Sequence, residues 1–407
     1  MQARKDWTAS VIWWHVYPLG FLDAERHAVS TVQHRLPRLL NWLDYVIDLG
    51  ANGLLLAPIF ASSSHGYDTL DHYRIDPRLG DQADFDALVA SCRERGIRIC
   101  LDGVFNHLGR NHHLVRRAIA AGPGTPEGDW IKWSPEGYPW NFEGHPQLVE
   151  LDLSNPVVAE YVGDVMIHWL DRGADAWRLD AAYAAGAPAW RPIIDRVRAA
   201  HPEAWILGEV IHGPFAEFVA EAGLDSITQY ELWHLTWTAL KDRNFFALDW
   251  ALKNHRELMR SFRPQTFLSN HDVTRIASQL DDPRDVRLAA TLLLLLPGVP
   301  SIYAGDEQGF TGTKEEHSYG DDSVRPPFPD TPEGLLPFGA ELHDHYREMI
   351  GIRRRNPWLA DAEVTTSAVA NTSITIHLAS GEHRLELRLN TSEEPVDGVP
   401  PHSFQLS

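Results

Sequence analysis

The stretch ADAWRLDAA, residues 174 to 182, sets Arg178 and Asp180 two positions apart within an otherwise apolar run. Burying either charge alone would be costly. In an extended strand, residues i and i+2 point to the same face, so the two side chains would stand side by side and compensate each other. Taken alone, this pattern favours a structural ion pair over a carboxylate kept ionised for chemistry, and the rest of the chain must decide between them.

A second acid, Glu209, lies between the apolar residues Leu207 and Val210. Desolvation there favours the protonated carboxyl group, whereas Arg178 favours an ionised Asp180. Two carboxyl groups in different environments can cleave a glycosidic bond, the ionised one as nucleophile and the protonated one as acid. When the configuration is retained, the two groups stand about 5 Å apart, and a third acid can hold the distorted sugar.

Such side chains need strands to position them, and short apolar runs rich in β-branched and aromatic residues recur along the chain. The eight runs occupy residues 11–21, 53–60, 97–106, 175–182, 204–211, 225–232, 265–272 and 300–307. Amphipathic segments such as DQADFDALVASCRERG separate most of them and end at a glycine that suits a helix stop. Near-continuous apolar strands alternating with helices predict an α/β fold, a closed (β/α)8 TIM barrel.

The polar residues of these runs gather at their C-terminal ends. They are Asp102, Asn106, Arg178, Asp180, Glu209, His271, Asp272, Asp306 and Glu307. In a (β/α)8 barrel those ends line one rim, which is where chemistry is placed. We therefore interpret Arg178 and Asp180 as part of a site. We expect Asp102 to be structural, and Asp306 and Glu307 to be solvated or barrel-rim residues.

Two regions depart from a bare barrel. After the third run, DWIKWSPEGYPWNFEGH belongs to a long segment without a clear strand-helix unit, which predicts an excursion subdomain. Near the end, SITIHLASGEHRLELRLN alternates with period two and predicts two strands joined by a Ser-Gly turn. The predicted domains are a barrel of residues 1–107 and 153–356, an excursion of residues 108–152 and a small C-terminal β-domain of residues 357–407.

The aromatic residues of the excursion allow two interpretations. They either form its own small core or make a wall that stacks on sugar rings. The residues concerned are Trp130, Trp133, Trp140 and Phe142.

Composition excludes several classes of partner. The formal net charge of −20 argues against a nucleic-acid or anionic-membrane partner. Pro297, Gly298 and Pro300 interrupt the longest apolar run before it could cross a bilayer. Because the start of the chain does not resemble a signal peptide and only Cys92 and Cys100 are cysteines, we expect a cytoplasmic protein without a disulfide framework.

Four segments resemble, in order and on the right strands, the signature segments of the α-amylase superfamily, glycoside hydrolase family 13. They are DGVFNH (102–107), AWRLDAA (176–182), LGEV (207–210) and FLSNHD (267–272). HGYDTLDHYRIDP (65–77) and GVPSIYAGDE (298–307) extend the resemblance over roughly residues 10 to 330. It implies a retaining glycoside hydrolase that cleaves α-glucosidic bonds, above all α-1,4 bonds, in malto-oligosaccharides or in cyclic or related α-glucans. The reaction would pass through a covalent glycosyl-enzyme and need no cofactor.

The resemblance also assigns roles to individual acids. It implies that Asp180 is the nucleophile, Glu209 the general acid/base, and Asp272 the third acid, which grips sugar hydroxyl groups in the transition state. Arg178 would orient the nucleophile.

Four further residues are implied in substrate binding. Tyr67 would stack under the sugar at the cleavage point, and His107 and His271 would hydrogen-bond its hydroxyl groups. Arg325, in DDSVRPPFP, is similar to an arginine that reaches the sugar site in many relatives.

Within the superfamily, PWNFEGHPQLVELDLSNP (139–156) is similar to the stretch before the fourth strand of cyclomaltodextrinases and neopullulanases. Those relatives usually carry an extra N-terminal β-domain that helps them to dimerise. Because the first barrel strand here begins near residue 11, we expect that domain to be missing, and the oligomeric state stays open.

Many α-amylases bind calcium between the barrel and the excursion, through the Asn of the first signature segment and a His after the nucleophile. Asn106 is present, but Tyr183 and Ala184 stand where a Lys-His pair is common. Calcium prefers six or more oxygen ligands, of which the sequence supplies one. We therefore predict no obligatory metal at this place.

Three alternatives were weighed. A glycosyl-enzyme can pass its sugar to another sugar instead of to water, so a transglycosylase is the close alternative. A sugar-binding barrel without catalysis is a remote one, since all three acids are in place. A metal-dependent barrel hydrolase lacks support, because only His15 lies on the first strand.

Overall fold

The structure, a computed structural model, describes residues 6–317 and 319–407. Eight parallel strands form one sheet, in the order β6-β5-β4-β3-β2-β1-β8-β7. They are β1 (Trp13–Val16), β2 (Gly53–Leu56), β3 (Arg98–Gly103), β4 (Ala176–Leu179), β5 (Trp205–Gly208), β6 (Ser226–Ile227), β7 (Gln265–Phe267) and β8 (Val299–Tyr303). Seven of the predicted runs contain their strand entirely, and the eighth run begins one residue inside β8. The predicted barrel is confirmed.

The sheet closes between β6 and β7. The two strands meet at an isolated parallel bridge between Thr228 and Gln265. The N–H of Gln229 also donates to the carbonyl oxygen of Gln265 at 2.9 Å. Because β6 has only two residues, this seam carries few ladder hydrogen bonds.

Helices follow the strands and cover the outside of the barrel. The longer ones are α1 (Leu43–Leu49), α2 (Gln82–Glu94), α3 (His113–Ala121), α4 (Pro156–Asp171), α5 (Ala187–Ala200), α6 (Phe215–Ala222), α7 (Tyr230–Lys241), α8 (Phe245–Met259), α9 (Pro283–Leu295) and α10 (Ala340–Arg355). Local sequence sets their starts. Asp81 and Asp84 form a capping box at α2, and Asn155 caps α4 with Pro156 in its first turn.

Alternate residues of each strand point into the barrel. On β1, Trp13 faces inward while Trp14 packs against the surrounding helices. The inner apolar layer near the N-terminal ends of the strands consists of Val11, Trp13, Leu55, Cys100, Ala176, Trp205, Leu207 and Val299. The same two-residue period carries the inward face on to polar residues at the C-terminal ends.

The excursion after β3 holds two short antiparallel strands, His107–Gly109 and Leu148–Glu150, with α3 and two 3-10 helices between them. Its aromatic residues divide between the two interpretations. Trp130 and Trp133 pack against the core, Phe142 lines the central cavity, and Trp140 is 49% exposed.

The chain ends in an antiparallel sheet, which confirms the predicted β-domain. Its strands are β9 (Glu363–Ser367), β10 (Ser373–Ser380), β11 (His383–Asn390) and β12 (Ser403–Leu406). The two predicted strands are β10 and β11. β9 packs against α8 and β12 against α9. The predicted domain boundaries at residues 107, 152 and 356 stay a prediction.

Neither Asp306 nor Glu307 is solvated, so of the two expected settings only the barrel rim, directly after β8, applies to them. Asp306 is buried and pairs with Arg275 at 2.9 Å. Glu307 is buried and accepts hydrogen bonds from Tyr45 at 2.8 Å and from the backbone N–H of Gly305 at 3.0 Å. Burial raises the pKa of Glu307 to about 7. The loop and helices after β8 cover both carboxylates.

Among the residues that the structure describes, no helix is long and apolar enough to cross a membrane.

Candidate active site

A cavity of about 590 Å³ opens at the C-terminal mouth of the barrel. All three predicted catalytic acids line it, although they come from distant parts of the chain. The predicted site residues in its wall are Tyr67, His107, Asp180, Glu209, Asp272 and Arg325. The two others, Arg178 and His271, are buried directly behind them.

Arg178 lies at the centre of the charged residues. Its Nη1 is 2.6 Å from Oδ2 of Asp102 and 3.3 Å from Oδ1 of Asp180. Its Nη2 is 2.6 Å from Oε1 of Glu209. One guanidinium group therefore bridges carboxylates from β3, β4 and β5. The Arg178–Asp180 pair of the opening motif is therefore a buried ion pair that lies within the candidate site.

We expected Arg178 to pair with Asp180 alone and Glu209 to have only apolar surroundings, and this expectation is wrong. The shorter contacts of Arg178 go to Asp102 and Glu209, and Asp180 receives the longest one. Burial and then the charge of Glu209 raise the pKa of Asp180 well above its usual value, and Arg178 only opposes this. Asp180 and Glu209 therefore act on each other electrostatically and share one arginine.

Glu209 is held from several sides. Its Oε2 accepts a hydrogen bond at 3.0 Å from the backbone N–H of Ala181, the residue after Asp180. Its Oε1 accepts one at 3.1 Å from the hydroxyl group of Tyr230. Ala181 has a φ of 45°, in the left-handed region that favours glycine, so the chain turns sharply at the residue whose N–H meets Glu209.

Asp272 stands in a different electrostatic setting. Its Oδ2 lies 3.0 Å from Nε2 of His271, and its Oδ1 lies 2.8 Å from Nη2 of Arg325. Although burial acts to raise the pKa of Asp272, the contacts with His271 and Arg325 hold that pKa well below its usual range. Asp272 is therefore ionised under conditions in which burial still favours the protonated form of Asp180.

The predicted sugar-binding residues form one wall. The ring of Tyr67 lies parallel to that of His271, with centroids 5.4 Å apart. The hydroxyl group of Tyr67 donates to Asp102 at 3.0 Å and also contacts Nε2 of His271. His271 is fully buried and lies behind Tyr67 and Asp272, so a sugar would meet those two side chains first.

His107 faces the cavity from the edge of the excursion. Its ring stacks on Phe142 with centroids 4.5 Å apart. Its Nε2 lies 3.9 Å from Oδ2 of Asp180 and has no hydrogen-bond partner among the described residues. Burial lowers the pKa of His107 to about 3, so the imidazole is neutral at pH 7. It can exchange hydrogen bonds with a sugar hydroxyl group.

Arg325 reaches the site, as its sequence context implies. Its Nε donates to the carbonyl oxygen of His271 at 2.8 Å, and its guanidinium group lies 4.6 Å from the ring centre of Tyr17. Arg325 therefore fixes both the backbone and the side chain of the segment that carries Asp272.

Sequence reasoning did not single out three residues of this site: Tyr17, Tyr230 and Asn270. Tyr17 and Tyr230 line the cavity, and Asn270 donates to Tyr230 at 2.9 Å. Each lies within a predicted strand run or signature segment, but none carries a charge that would mark it. Their position near the C-terminal end of a predicted strand was the only feature of the sequence that could have indicated these three residues.

Asn106 lies behind the cavity and is fully buried. Its Oδ1 accepts no hydrogen bond among the described residues, so it offers one oxygen ligand. Tyr183, where a further ligand is common in relatives, instead donates to Glu143 at 2.7 Å. These residues do not supply the six or more oxygen atoms that calcium needs. The absence of a required metal here stays a prediction.

Comparison with known proteins places the chain among carbohydrate-active enzymes. The family description "Alpha amylase, catalytic domain" matches residues 15–330. A cyclomaltodextrinase from Geobacillus thermopakistaniensis is 28% identical over 96% of this chain and 70% of that protein. Neopullulanase 2 from Thermoactinomyces vulgaris is 31% identical over 83% of this chain and 60% of that protein. The chain thus spans between 60% and 70% of the length of these curated relatives.

A solved structure matches over the whole length. It is the cyclic alpha-maltosyl-(1→6)-maltose hydrolase from Arthrobacter globiformis in its ligand-free form, with a TM-score of 0.85 and 27% identity. The match covers 100% of this chain and 99% of that one.

Proposed function

The chain belongs to the alpha-amylase family, and from that premise we propose that it is a retaining glycoside hydrolase that cleaves α-glucosidic bonds in malto-oligosaccharides or cyclic α-glucans. One observation carries the proposal: a single buried arginine, Arg178, contacts both Asp180 and Glu209. The two carboxyl groups therefore flank one point at the base of the cavity, as a retaining mechanism requires.

In the first step, the carboxylate of Asp180 attacks the anomeric carbon as Glu209 gives its proton to the departing glycosidic oxygen. The bond from carbon to that oxygen breaks, and a covalent glycosyl-Asp180 forms. Because burial raises the pKa of Asp180 in the free site, substrate binding must leave the single proton of the pair on Glu209.

In the second step, Glu209 is a carboxylate and acts as base. It takes a proton from water, whose oxygen attacks the anomeric carbon and releases Asp180. Asp272 remains ionised throughout and accepts hydrogen bonds from sugar hydroxyl groups. These bonds strengthen as the ring distorts and becomes positively charged.

The substrate class is proposed from the relatives. The solved neighbour that matches the whole chain is a cyclic alpha-maltosyl-(1→6)-maltose hydrolase, and two curated relatives are a cyclomaltodextrinase and a neopullulanase. We therefore expect turnover of cyclic α-maltosyl-(1→6)-maltose, of a cyclodextrin or of maltotetraose. Product analysis on these three, side by side, identifies the preferred ring and linkage.

The mechanism is tested by trapping the intermediate. With α-maltosyl fluoride, E209Q should form the covalent intermediate but hydrolyse it slowly, because the second step lacks its base. Mass spectrometry should then find one maltosyl group on the peptide that carries Asp180. An adduct on another residue, or inverted product configuration from the unmodified protein, would overturn the proposal.

Transfer to another sugar uses the same intermediate, and no contact in the cavity favours it over hydrolysis. Incubation with maltotriose distinguishes the two. Only shorter sugars indicate hydrolysis, whereas longer or rearranged products indicate a transglycosylase.

We also propose a cytoplasmic setting. Cys92 and Cys100 are buried free thiols, which suits a reducing compartment. A relative named intracellular maltogenic amylase, from Bacillus subtilis, is 27% identical over 76% of this chain. Fractionation of the source cells tests the proposal, and recovery from the culture medium would contradict it.

A further inference from the structure

Tyr230 is the first residue of α7 and follows the shortest barrel strand, β6. It is buried, and its hydroxyl group reaches Oε1 of Glu209 at 3.1 Å. Packing fixes its ring from two sides, since the centroids of Phe267 and Trp233 lie 5.0 Å and 5.7 Å away, nearly at right angles. The hydroxyl group can therefore turn about its own bond, but the ring cannot move away from Glu209.

The direction of the hydrogen bond is also fixed. The backbone N–H of Asp272 donates to Oδ1 of Asn270 at 2.8 Å, which sets the orientation of that side-chain amide. Nδ2 of Asn270 then faces the oxygen of Tyr230 at 2.9 Å and can only donate. Since the oxygen of Tyr230 accepts this bond, its single proton is left for Glu209.

The two oxygen atoms of Glu209 consequently differ. Oε1 accepts from Tyr230 and contacts Arg178 at 2.6 Å, so both of its lone pairs are occupied. Among the residues that the structure describes, Oε2 accepts from the N–H of Ala181 alone and keeps one lone pair. A proton on Glu209 is therefore best placed on Oε2.

We propose that Tyr230, oriented by Asn270, is a positioning residue that holds Oε1 of Glu209 so that Oε2 presents the catalytic proton to the glycosidic oxygen. This inference rests on the proposed function and adds a residue pair to it. It connects the third acid to the acid/base through one directed series of hydrogen bonds, from the Asp272 backbone through Asn270 and Tyr230 to Glu209.

The test uses two substrates that need the acid to different degrees. Maltotetraose has a sugar leaving group that must be protonated, whereas fluoride leaves α-maltosyl fluoride with little help. For Y230F we expect kcat/KM to fall about 30-fold on maltotetraose, less than the roughly 10²- to 10⁴-fold that general acid catalysis contributes, because Glu209 itself remains. On α-maltosyl fluoride we expect kcat/KM to fall less than about threefold. For this substrate kcat/KM reports only the formation of the intermediate, and fluoride departs in that step with little help from an acid.

N270D provides a second route to the same effect. The new carboxylate has the shape of the amide but accepts instead of donating, so the Tyr230 proton turns away from Glu209. It should reproduce the substrate-dependent loss while Tyr230 itself is unchanged. The double variant Y230F/N270D should lose no more than the larger single loss, because both act on one hydrogen bond.

Y346F is the matched control. Tyr346 lies on α10 and is buried, and its hydroxyl group has no hydrogen-bond partner among the described residues. Its removal should leave both constants unchanged.

The outcomes separate the two proposals. Equal losses on both substrates would assign Tyr230 to sugar binding or to the fold and would overturn the inference, as would an unchanged rate on maltotetraose. If Y230F fails to fold, N270D decides by the same criterion. If the unmodified protein releases no shorter sugars from maltotetraose, from a cyclodextrin or from cyclic α-maltosyl-(1→6)-maltose, and no fluoride from α-maltosyl fluoride, the proposed function itself fails.

Discussion

The two mouths of the barrel are built by the same strands but lined with opposite chemistry. At the N-terminal mouth, Trp13 and Trp205 stack with ring centroids 5.7 Å apart, and Trp7 packs edge-on against both. At the C-terminal mouth, Arg178 bridges three carboxylates. Along β5 the change takes four residues, from Trp205 to Glu209 on the same inward face.

The contrast shows how one fold separates stability from chemistry. Burial of the tryptophan rings removes apolar surface from water and stabilises the folded chain. Burial of the carboxylates is unfavourable unless charges and hydrogen bonds compensate them, and Asp180 is compensated least. We therefore expect substitutions at the C-terminal mouth to reduce activity above all, and substitutions at the N-terminal mouth to reduce stability with little effect on activity.

The largest expected effect is on activity. D180N should reduce kcat at least about 10³-fold, since the nucleophile is lost. Its free energy of unfolding at pH 7 should stay the same or rise, because burial disfavours the charge that the substitution removes. D175N is the matched control at the opposite end of β4, where Asp175 accepts from the N–H of Ile99 at 2.9 Å. It should keep the activity, and if D175N inactivates the protein as D180N does, the division between the mouths fails.

The next two substitutions should cost similar stability at the two mouths. R178M leaves Asp102, Asp180 and Glu209 buried without their cation and should lower the free energy of unfolding by about 3 to 5 kcal/mol. W205A opens a cavity at the apolar mouth and should lower it by about 3 to 5 kcal/mol as well. Denaturant unfolding measures both.

Only activity should distinguish these two variants. W205A should keep kcat within about threefold at a temperature where it is folded, because Trp205 lies at the opposite end of the barrel from the three acids and touches no reacting group. R178M should be inactive under the same conditions. Equal residual activity in both would contradict the contrast.

A smaller effect concerns pH. His107 is neutral in the fold, with a pKa of about 3, whereas an unfolded histidine titrates near 6.5. As the pH falls from about 6.5 toward 3, the unfolded chain takes up a proton that the folded chain does not, so stability falls. In H107N, the slope of stability against pH should decrease by about 1.4 kcal/mol per pH unit between pH 5 and 6. W205A should leave this slope unchanged, and identical slopes in H107N and the unmodified protein would refute the assignment.

The smallest expected effect is at Ala181. A181G should raise the free energy of unfolding by less than about 1 kcal/mol, because glycine adopts a positive φ without strain. The freer backbone holds its N–H less firmly against Glu209, so kcat should decrease a few-fold. Lower stability together with unchanged kcat would show that the left-handed turn has no part in positioning the acid.

The sequence predicts the strands, Asp180 and Glu209 from local signals, whereas the role of Asp272 comes from the resemblance to the α-amylase superfamily. Apolar runs mark the strands, and the i, i+2 rule places Arg178 beside Asp180. The sequence could not predict that Arg178 contacts Asp102 and Glu209 as well as Asp180, since these contacts depend on the register between β3, β4 and β5. Asp102 of β3 lies directly across from Arg178 of β4, and Arg178 lies across from Leu207 of β5.

Uncharged or covered residues escape such reasoning for another reason. Tyr230 lies within a predicted apolar run, where an aromatic residue is usually core. Asp306 and Glu307 have charges that suggest solvent, but distant segments cover them, and only the tertiary structure shows this. Local sequence thus predicts which residues can do chemistry better than it predicts what surrounds them.

The thin seam between β6 and β7 has a consequence for heating. Tyr230 follows β6 directly, and β7 leads into the segment of Asn270 and Asp272. During local unfolding on heating, β6 and β7 should separate before the fully paired strands on the opposite side of the barrel. The hydrogen bond from Tyr230 to Glu209 would then be lost while most helices remain intact. Thermal inactivation should therefore precede the loss of helical circular dichroism.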